Sequence, residues 1–242
     1  MSKLALSLLC VVLAAAPGYS QWQIGLQVGV ARNQLSTETA YFTYTRYLPQ
    51  TGLHIGVPVR YAIADWAAIR TGAELTEKNY RQERTGFFDG LYQNTRNRYL
   101  TLPLGVEFSF GVKRWKGYCG FGGYAAYWTD SRIQGRGVSV FASPEDQPAY
   151  GDQYTSISQL APVSAFRETY VFDRRKDRRF EAGWTTSAGV RYAFPACQVF
   201  LEAQYRYSLT DQQKNYMLLQ IPRYNQTILL TTGVLFHLSA SH

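Results

Sequence analysis

The sequence has few of the residues that build reactive or metal-binding centres. It holds 3 cysteines, 3 histidines and 2 methionines among 242 residues. Cys119 and Cys197, the only cysteines after the first twenty residues, are too far apart for a Cys-x-x-Cys redox or zinc motif. The histidines show no spacing that matches a set of metal ligands. The sequence therefore indicates neither a metal nor a cofactor.

Beyond residue 20 the chain lacks any apolar run of the ~20 residues that a membrane-spanning helix needs. Its one apolar core, residues 4–16, is too short to span a bilayer and lies between Lys3 and the small-x-small site Gly18-Tyr19-Ser20. This arrangement predicts a secretory signal peptide over residues 1–20. The rest, residues 21–242, has the length of a single domain.

What the sequence does have is an alternation of apolar and polar residues with a period of two. In the segment 226–238, Ile228, Leu230 and Phe236 share one apolar face, as in a strand with one side buried or in lipid. Seven further segments alternate in the same way, although the phase of the glycine-rich segment 116–128 is ambiguous, and we favour Cys119 facing out. The eight predicted strands cover residues 22–30, 53–63, 66–76, 99–110, 116–128, 180–194, 199–207 and 226–238.

The connections between these strands alternate between long and short. They cover residues 31–52, 64–65, 77–98, 111–115, 129–179, 195–198 and 208–225. Outer-membrane barrels have short periplasmic turns, long external loops and both termini in the periplasm. This alternation of long and short connections predicts an all-β fold, an eight-stranded antiparallel up-and-down transmembrane β-barrel, with 129–179 as its longest external loop.

The predicted inner faces carry the charged residues of the strands. Four basic and three acidic side chains could pair across a narrow lumen, where an unpaired charge would be costly. This predicted lumen cluster comprises Arg60, Arg70, Glu74, Glu107, Arg191, Glu202 and Arg206. The alternative is a soluble sheet whose charges face solvent.

By these features the chain resembles the outer membrane protein beta-barrel domain family, the porin-like small barrels of Gram-negative bacteria. The resemblance lies in the signal peptide before Gln21-Trp22, in Tyr-Leu-Thr-Leu-Pro-Leu at 99–104, in the glycine-rich 117–127 and in Gly-Val-Leu-Phe-His-Leu at 233–238. It implies an outer-membrane location and a barrel fold, but no substrate. Pro58 and Pro103 depart from the pattern, because each removes a ladder donor, and we expect a bulge or a break there.

The net positive charge of the chain indicates which binding partners to expect. The formal charge is +8, which becomes 8 − 1 = +7 without Lys3, and the pI is about 9.4. Such a value can indicate nucleic-acid binding, but an exported chain rarely meets nucleic acid. We expect outer-membrane lipids and lipopolysaccharide as partners, no nucleic acid, and a monomer.

Two places could carry chemistry or binding. His54, on the inner face near the external end of its strand, is the one plausible base for a lipid hydrolase or acyltransferase, but no serine is predicted beside it. The loop 129–179 contains a basic run that is either a solvated surface or a docking site for anionic glycans or lipid phosphates. The basic residues of this run are Arg174, Arg175, Lys176, Arg178 and Arg179.

We therefore predict a non-enzymatic outer-membrane barrel with a plugged or narrow lumen, and a role in envelope structure or in binding and adhesion through its loops. One alternative is an outer-membrane hydrolase or acyltransferase that uses His54. Another is a soluble exported barrel that carries a lipid, which would need its apolar face inside and its arginines outside.

Overall fold

The computed structural model describes residues 21–37, 44–138, 157, 162–215 and 221–238. These residues form ten strands and one short 3-10 helix, Gly86–Phe88. The strands are β1 Trp22–Ser36, β2 Thr45–Ala64, β3 Ala67–Glu77, β4 Tyr80–Arg84, β5 Tyr92–Val112, β6 Trp115–Val138, β7 Val163–Thr169, β8 Phe180–Ala193, β9 Cys197–Ser208 and β10 Tyr224–His237. In these ranges no helix has the length and apolar character to cross a membrane. The predicted signal peptide lies outside the described residues.

All ten strands belong to one antiparallel sheet that closes on itself, because β1 pairs with both β2 and β10. The ten strands fill eight positions. β3 and β4 both lie between β2 and β5, and β7 and β8 both pair with β6. The predicted all-β, antiparallel up-and-down barrel is confirmed; the predicted eight strands become ten, because two of the eight positions are each divided into two strands.

The strands are longer than predicted at the end with the long connections, which we call the long-loop end. β2 begins at Thr45, β5 begins at Tyr92 and β6 ends at Val138. The predicted connections 31–52, 77–98 and 129–179 therefore contain strand residues, and their predicted bounds are wrong. In these extensions both faces are polar, as in the run Arg96-Asn97-Arg98, so the apolar period that marks a lipid-facing strand is missing there.

Below these extensions, side chains alternate between an apolar outer surface and a mainly polar interior. In β1, Leu26 and Val30 are exposed while Gln23 and Gln27 are buried. The ambiguous strand β6 follows the favoured phase, with Cys119 on the outside. A soluble lipid-carrying barrel would need the opposite arrangement, with arginines outside and apolar residues inside.

Aromatic side chains form contacts at two levels of the outer surface. At the short-turn end, Trp66 stacks on Phe108 with ring centroids 6.0 Å apart, and Trp22 lies 4.7 Å from Tyr61. Nearer the long-loop end, Trp184 contacts both Tyr205 and Tyr207 (5.4 and 5.9 Å). Two such levels match the aromatic girdles of membrane barrels.

The ladder is interrupted beside both prolines, as expected from their missing N–H groups. Between β1 and β2 the pairing passes from Ile24↔Val59 directly to Gln27↔Gly56, leaving out Pro58 and its neighbour. Between β3 and β5 it passes from Thr71↔Leu104 to Glu74↔Thr101, leaving out Pro103. The Thr71 hydroxyl donates to the carbonyl oxygen of Pro103 at 2.8 Å, which satisfies an acceptor next to the second break.

Cys119 and Cys197 are both free thiols. Cys119 lies on β6 opposite Ala188 of β8, whereas Cys197 is the first residue of β9, opposite Phe236 of β10. Because β8 separates β6 from β9, the two cysteines are not on neighbouring strands.

Candidate functional site

The short-turn half of the lumen is filled by one carboxylate between two guanidinium groups. Glu107 of β5 accepts a hydrogen bond from Arg60 Nε of β2 at 2.9 Å. It also accepts two from Arg191 Nη2 of β8, at 2.8 Å to each oxygen. All three side chains are almost fully buried. Pairing of this kind offsets the cost of taking charges out of water.

An apolar layer lies beside this carboxylate. Tyr118, Phe200 and Leu235 point into the barrel and pack together, all less than 5 % exposed. The Arg191 guanidinium lies 4.4 Å from the centre of the Tyr118 ring. Among these side chains and Arg60 there is no space for a water molecule. The short-turn half of the lumen is therefore filled.

The middle of the lumen holds two further ion pairs. Arg70 is hydrogen-bonded to Glu202, and Arg206 Nη2 donates to Glu74 Oε2 at 2.6 Å. Gln204 and Gln27 add amide hydrogen bonds to these carboxylates. A cavity of about 40 Å³ remains, with Arg70, Glu74, Gln204 and Arg206 among its lining residues, which is room for only one or two water molecules. The structure thus places all seven residues of the predicted lumen cluster inside the barrel and in ion pairs.

Sequence reasoning missed a third level, at the long-loop end. Lys78 Nζ, fully buried, is hydrogen-bonded to Glu181. Glu181 also accepts from the Tyr124 hydroxyl at 2.7 Å and from Asn225 Nδ2 at 2.7 Å. The Lys78 ammonium lies 4.7 Å from the centre of the Tyr99 ring, within cation–π range. Glu181 stands at an inward position of a predicted strand and could have been found, whereas Lys78 lay in a predicted loop.

His54 is fully buried in the middle level, and its hydrogen-bond partners among the described residues include no serine. Its Nδ1 is 2.9 Å from the Thr76 hydroxyl, and its Nε2 receives a hydrogen bond from Gln27 Nε2 at 2.9 Å. The same Gln27 amide donates to Glu74 Oε1 at 3.0 Å. Both ring nitrogens are therefore engaged within the wall of the lumen. In the described part of the chain no group of three or more His, Cys, Asp or Glu residues is arranged to hold a metal ion.

The predicted basic run forms a folded turn between β7 and β8, which we call the basic turn, residues 173–179. The Asp173 carbonyl oxygen accepts hydrogen bonds from the backbone N–H groups of Lys176 (3.1 Å) and Asp177 (2.8 Å). Its carboxylate accepts from the backbone N–H of Arg175 at 2.8 Å. The buried Asp177 carboxylate accepts from the Tyr170 hydroxyl and from the Asp173 backbone N–H (2.7 Å). Both acidic side chains of the turn are thus engaged within it.

Aromatic residues anchor the basic turn to the barrel. Tyr170 and Phe172, just before the turn, pack on Trp128 of β6 with ring centroids 6.0 and 4.9 Å away. Arg179, the last residue of the turn, donates from Nε to the carbonyl oxygen of Trp128 at 2.9 Å. Its guanidinium also lies 4.2 Å from the centre of the Phe172 ring. These contacts fix the turn to the end of β6.

The segment after β9 supports the basic turn from the other side. Lys214 donates from its backbone N–H to the carbonyl oxygen of Lys176 and from Nζ to that of Arg174, at 2.8 and 2.7 Å. The backbone N–H of Arg178 donates to the carbonyl oxygen of Gln212 at 2.9 Å. Gln212 in turn donates to the Tyr99 hydroxyl at 3.0 Å. The basic turn is therefore connected through hydrogen bonds to the interior of the barrel.

A pocket of about 420 Å³ opens beside the basic turn. Three of the five predicted basic residues line it, namely Arg174, Arg178 and Arg179, whereas Arg175 and Lys176 do not. A fourth cation, Lys214, was not foreseen, because it follows a different strand. We call this the basic pocket; it is lined by Tyr127, Phe172, Asp173, Arg174, Asp177, Arg178, Arg179, Phe180 and Lys214.

A closed antiparallel barrel with an apolar outer surface and ion pairs inside defines the class of the protein: it is a membrane β-barrel. The family model for the outer membrane protein beta-barrel domain matches residues 15–213. The chain belongs to this family, as its sequence led us to expect.

Three solved structures are similar to this chain. Neisserial surface protein A is 13% identical, with 89% of this chain and 97% of that chain covered and a TM-score of 0.42. Ail, the attachment invasion locus protein of Yersinia pestis, is 14% identical, with 89% and 99% covered and a TM-score of 0.40. OprG from Pseudomonas aeruginosa is 13% identical, with 92% and 99% covered and a TM-score of 0.48. No curated protein matches the chain.

Proposed function

We propose that this outer-membrane barrel is non-enzymatic, that its lumen is closed to solutes, and that it acts in the envelope by binding anionic groups at its external rim. The observation that carries the proposal is the contrast between its two ends. The lumen is filled with paired charges and packed rings, whereas the basic turn presents cations around an open pocket. In the usual orientation of outer-membrane barrels, the long-loop end faces the outside of the cell.

The filled lumen supports the closed state. Barrels of eight strands have an interior that side chains just fill, and here the ion pairs occupy three successive levels. Opening a path would require breaking several buried pairs at once, each costly to separate. In planar bilayers the purified protein should show no large, stable open channel. A steady conductance of porin size would contradict the proposal.

The surroundings of His54 support a non-enzymatic role. A histidine acting as general base must reach the proton that it removes, and His54 has no exposed surface. Its two ring nitrogens are held by Thr76 and Gln27. Phospholipid hydrolysis and acyl transfer by the purified protein should equal the rates of a His54→Gln variant. A measurable activity that this substitution removes would contradict the proposal.

The basic pocket supports anion binding. Arg174 is exposed, Arg178 is half-buried, and the carboxylates of Asp173 and Asp177 are engaged by backbone N–H groups and by Tyr170. Guanidinium groups bind sulfate and phosphate through forked, charge-assisted hydrogen bonds.

Titration with sucrose octasulfate, a compact soluble polyanion, tests this site by calorimetry. R174Q/R178Q should weaken binding by on the order of tenfold or more. R175Q/K176Q removes the same charge from positions outside the pocket and should change binding much less. Equal losses in the two variants would indicate a diffuse charge effect and would exclude the pocket as the site.

A further inference from the structure

We infer that the basic pocket takes a phosphate group carried by a glycolipid of the surrounding outer leaflet. This inference rests on the proposed function and names the partner of the same site. It is carried by the position of the pocket, which has a basic wall on one side and the lipid-facing surface of the barrel on the other.

The apolar wall of the pocket belongs to the outer surface of the barrel. Tyr127 of β6 and Phe180 of β8 are cross-strand partners, and both are exposed, at 46% and 54%. They continue the outward face that carries Phe121 and Val190 further down the same strands. A soluble polyanion would use only the basic wall, whereas a lipid can place its phosphate against the arginines and its chains along these strands.

The height of the pocket along the barrel axis matches the level of the lipid head groups. Tyr127 stands thirteen residues beyond the tight turn at Arg114, the turn that joins β5 to β6. At about 3.3 Å per residue and a strand tilt of about 40°, this corresponds to roughly 33 Å along the barrel axis. The hydrocarbon core of a bilayer is about 30 Å thick. The pocket therefore lies where the hydrocarbon ends and phosphorylated sugars begin.

The backbone of the basic turn and the side chain of Arg179 are held in place before any ligand arrives. The backbone of the basic turn is fixed by its own hydrogen bonds and by those from Lys214 and to Gln212. Arg179 is held between the Trp128 carbonyl and the Phe172 ring. A site built in this way loses less conformational entropy on binding than a mobile loop would. The cost of binding then falls mainly on the side chains of Arg174 and Arg178.

The experiment measures retained lipid by native mass spectrometry. The purified full chain is equilibrated in nanodiscs that contain a trace of a phosphorylated glucosamine-disaccharide lipid (lipid A), or of the same lipid after enzymatic removal of its phosphates. We expect the phosphorylated lipid to be retained about tenfold more than the dephosphorylated one. The preference should disappear in R174Q/R178Q and persist in R175Q/K176Q.

Heat-modifiable gel mobility shows whether each variant is folded. Should the double variant fail to fold, R174Q alone replaces it, because this exposed side chain makes no hydrogen bond or ion pair with the residues that the structure describes. Equal retention of the two lipids would overturn the inference. If sucrose octasulfate binds the pocket and lipid phosphate does not, the inference fails while the proposed function stands. If neither binds, both fail.

Discussion

Arg191 and Glu107 are joined across the lumen by two hydrogen bonds, from one Nη2 atom to both carboxylate oxygens at 2.8 Å. The two residues stand on β8 and β5, which β6 separates. The same carboxylate also receives Arg60, so a single acidic side chain neutralises two buried cations from two sides of the barrel.

Replacing this carboxylate should be among the most damaging polar substitutions in the barrel. E107Q would leave two buried guanidinium groups facing each other, and loss of one partner from a buried pair costs about 3–5 kcal/mol of unfolding free energy. Urea unfolding in lipid vesicles, followed by tryptophan fluorescence, measures this cost. The matched control is E77Q, since Glu77 pairs with the exposed Arg98 and should contribute only about 0–1 kcal/mol. Similar losses for the two variants would contradict the central role of Glu107.

The buried pair of Lys78 and Glu181 predicts non-additive effects. K78M and E181Q should each destabilise the barrel by about 3–5 kcal/mol, because each leaves an uncompensated charge in the upper lumen. The double variant K78M/E181Q leaves neither charge and should cost clearly less than the sum of the single variants. Urea unfolding in lipid vesicles measures the free energy of unfolding of all three variants and so completes the double-mutant cycle. Additive losses would mean that the two side chains do not interact in the folded barrel.

A charged side chain introduced on the outer face should destabilise the barrel most near the middle of the bilayer. Leu104, Val190 and Leu230 are exposed on the apolar surface, and arginine at any of them should cost about 2–4 kcal/mol near the middle of the bilayer. Thr101 points inward and is fully buried, so T101S keeps a hydroxyl in the lumen and should be tolerated. If unfolding in vesicles shows equal sensitivity on both faces, the assignment of inside and outside is wrong.

The cysteines should both be reactive once the chain is unfolded. Cys119 and Cys197 are free and stand on strands that are not neighbours. If the predicted signal peptide and its Cys10 are removed on export, labelling of the exported protein in denaturant, without a reductant, should therefore modify two thiols per chain. In the folded protein, Cys119 faces outward toward lipid and should react with a membrane-permeant maleimide faster than with a charged one. A count of zero thiols would require a disulfide and a different β6.

The parts of the fold that could be predicted from the sequence are those that face lipid, because lipid restricts which residues can stand there. A residue that faces hydrocarbon must be apolar, and its neighbours in the strand face inward, so segments such as 226–238 identify both faces at once. β6 was ambiguous because Gly117, Gly120, Gly122 and Gly123 give no sign of direction. Its phase is determined by pairing with its neighbours, in which Cys119 lies opposite Phe108 and Ala188, both on the outer face.

The parts that could not be predicted lie beyond the lipid or depend on distant pairing. Above the bilayer the outer face of a strand meets water and the buried inner face is polar as well, so the exposed Arg96 and Arg98 alternate with the buried Asn97 without any apolar period. The pairing of Lys78 with Glu181 joins residues 103 apart in sequence, and no local pattern indicates such a partner. The same holds for Lys214, which reaches the basic turn from the connection after β9.

The seam between β1 and β10 has a consequence for how the chain reaches this fold. It pairs the first strand with the last, from Gln23↔His237 to Ser36↔Tyr224. Gln23 and His237 are 214 positions apart in the sequence. Contacts at such separation carry the largest entropic cost of loop closure and slow folding down. Before the seam forms, both edge strands have unpaired backbone groups that lipid cannot satisfy. The barrel should therefore insert and close in one cooperative step, limited by the arrival of β10, and a chain arrested before residue 224 should remain a substrate for proteolysis.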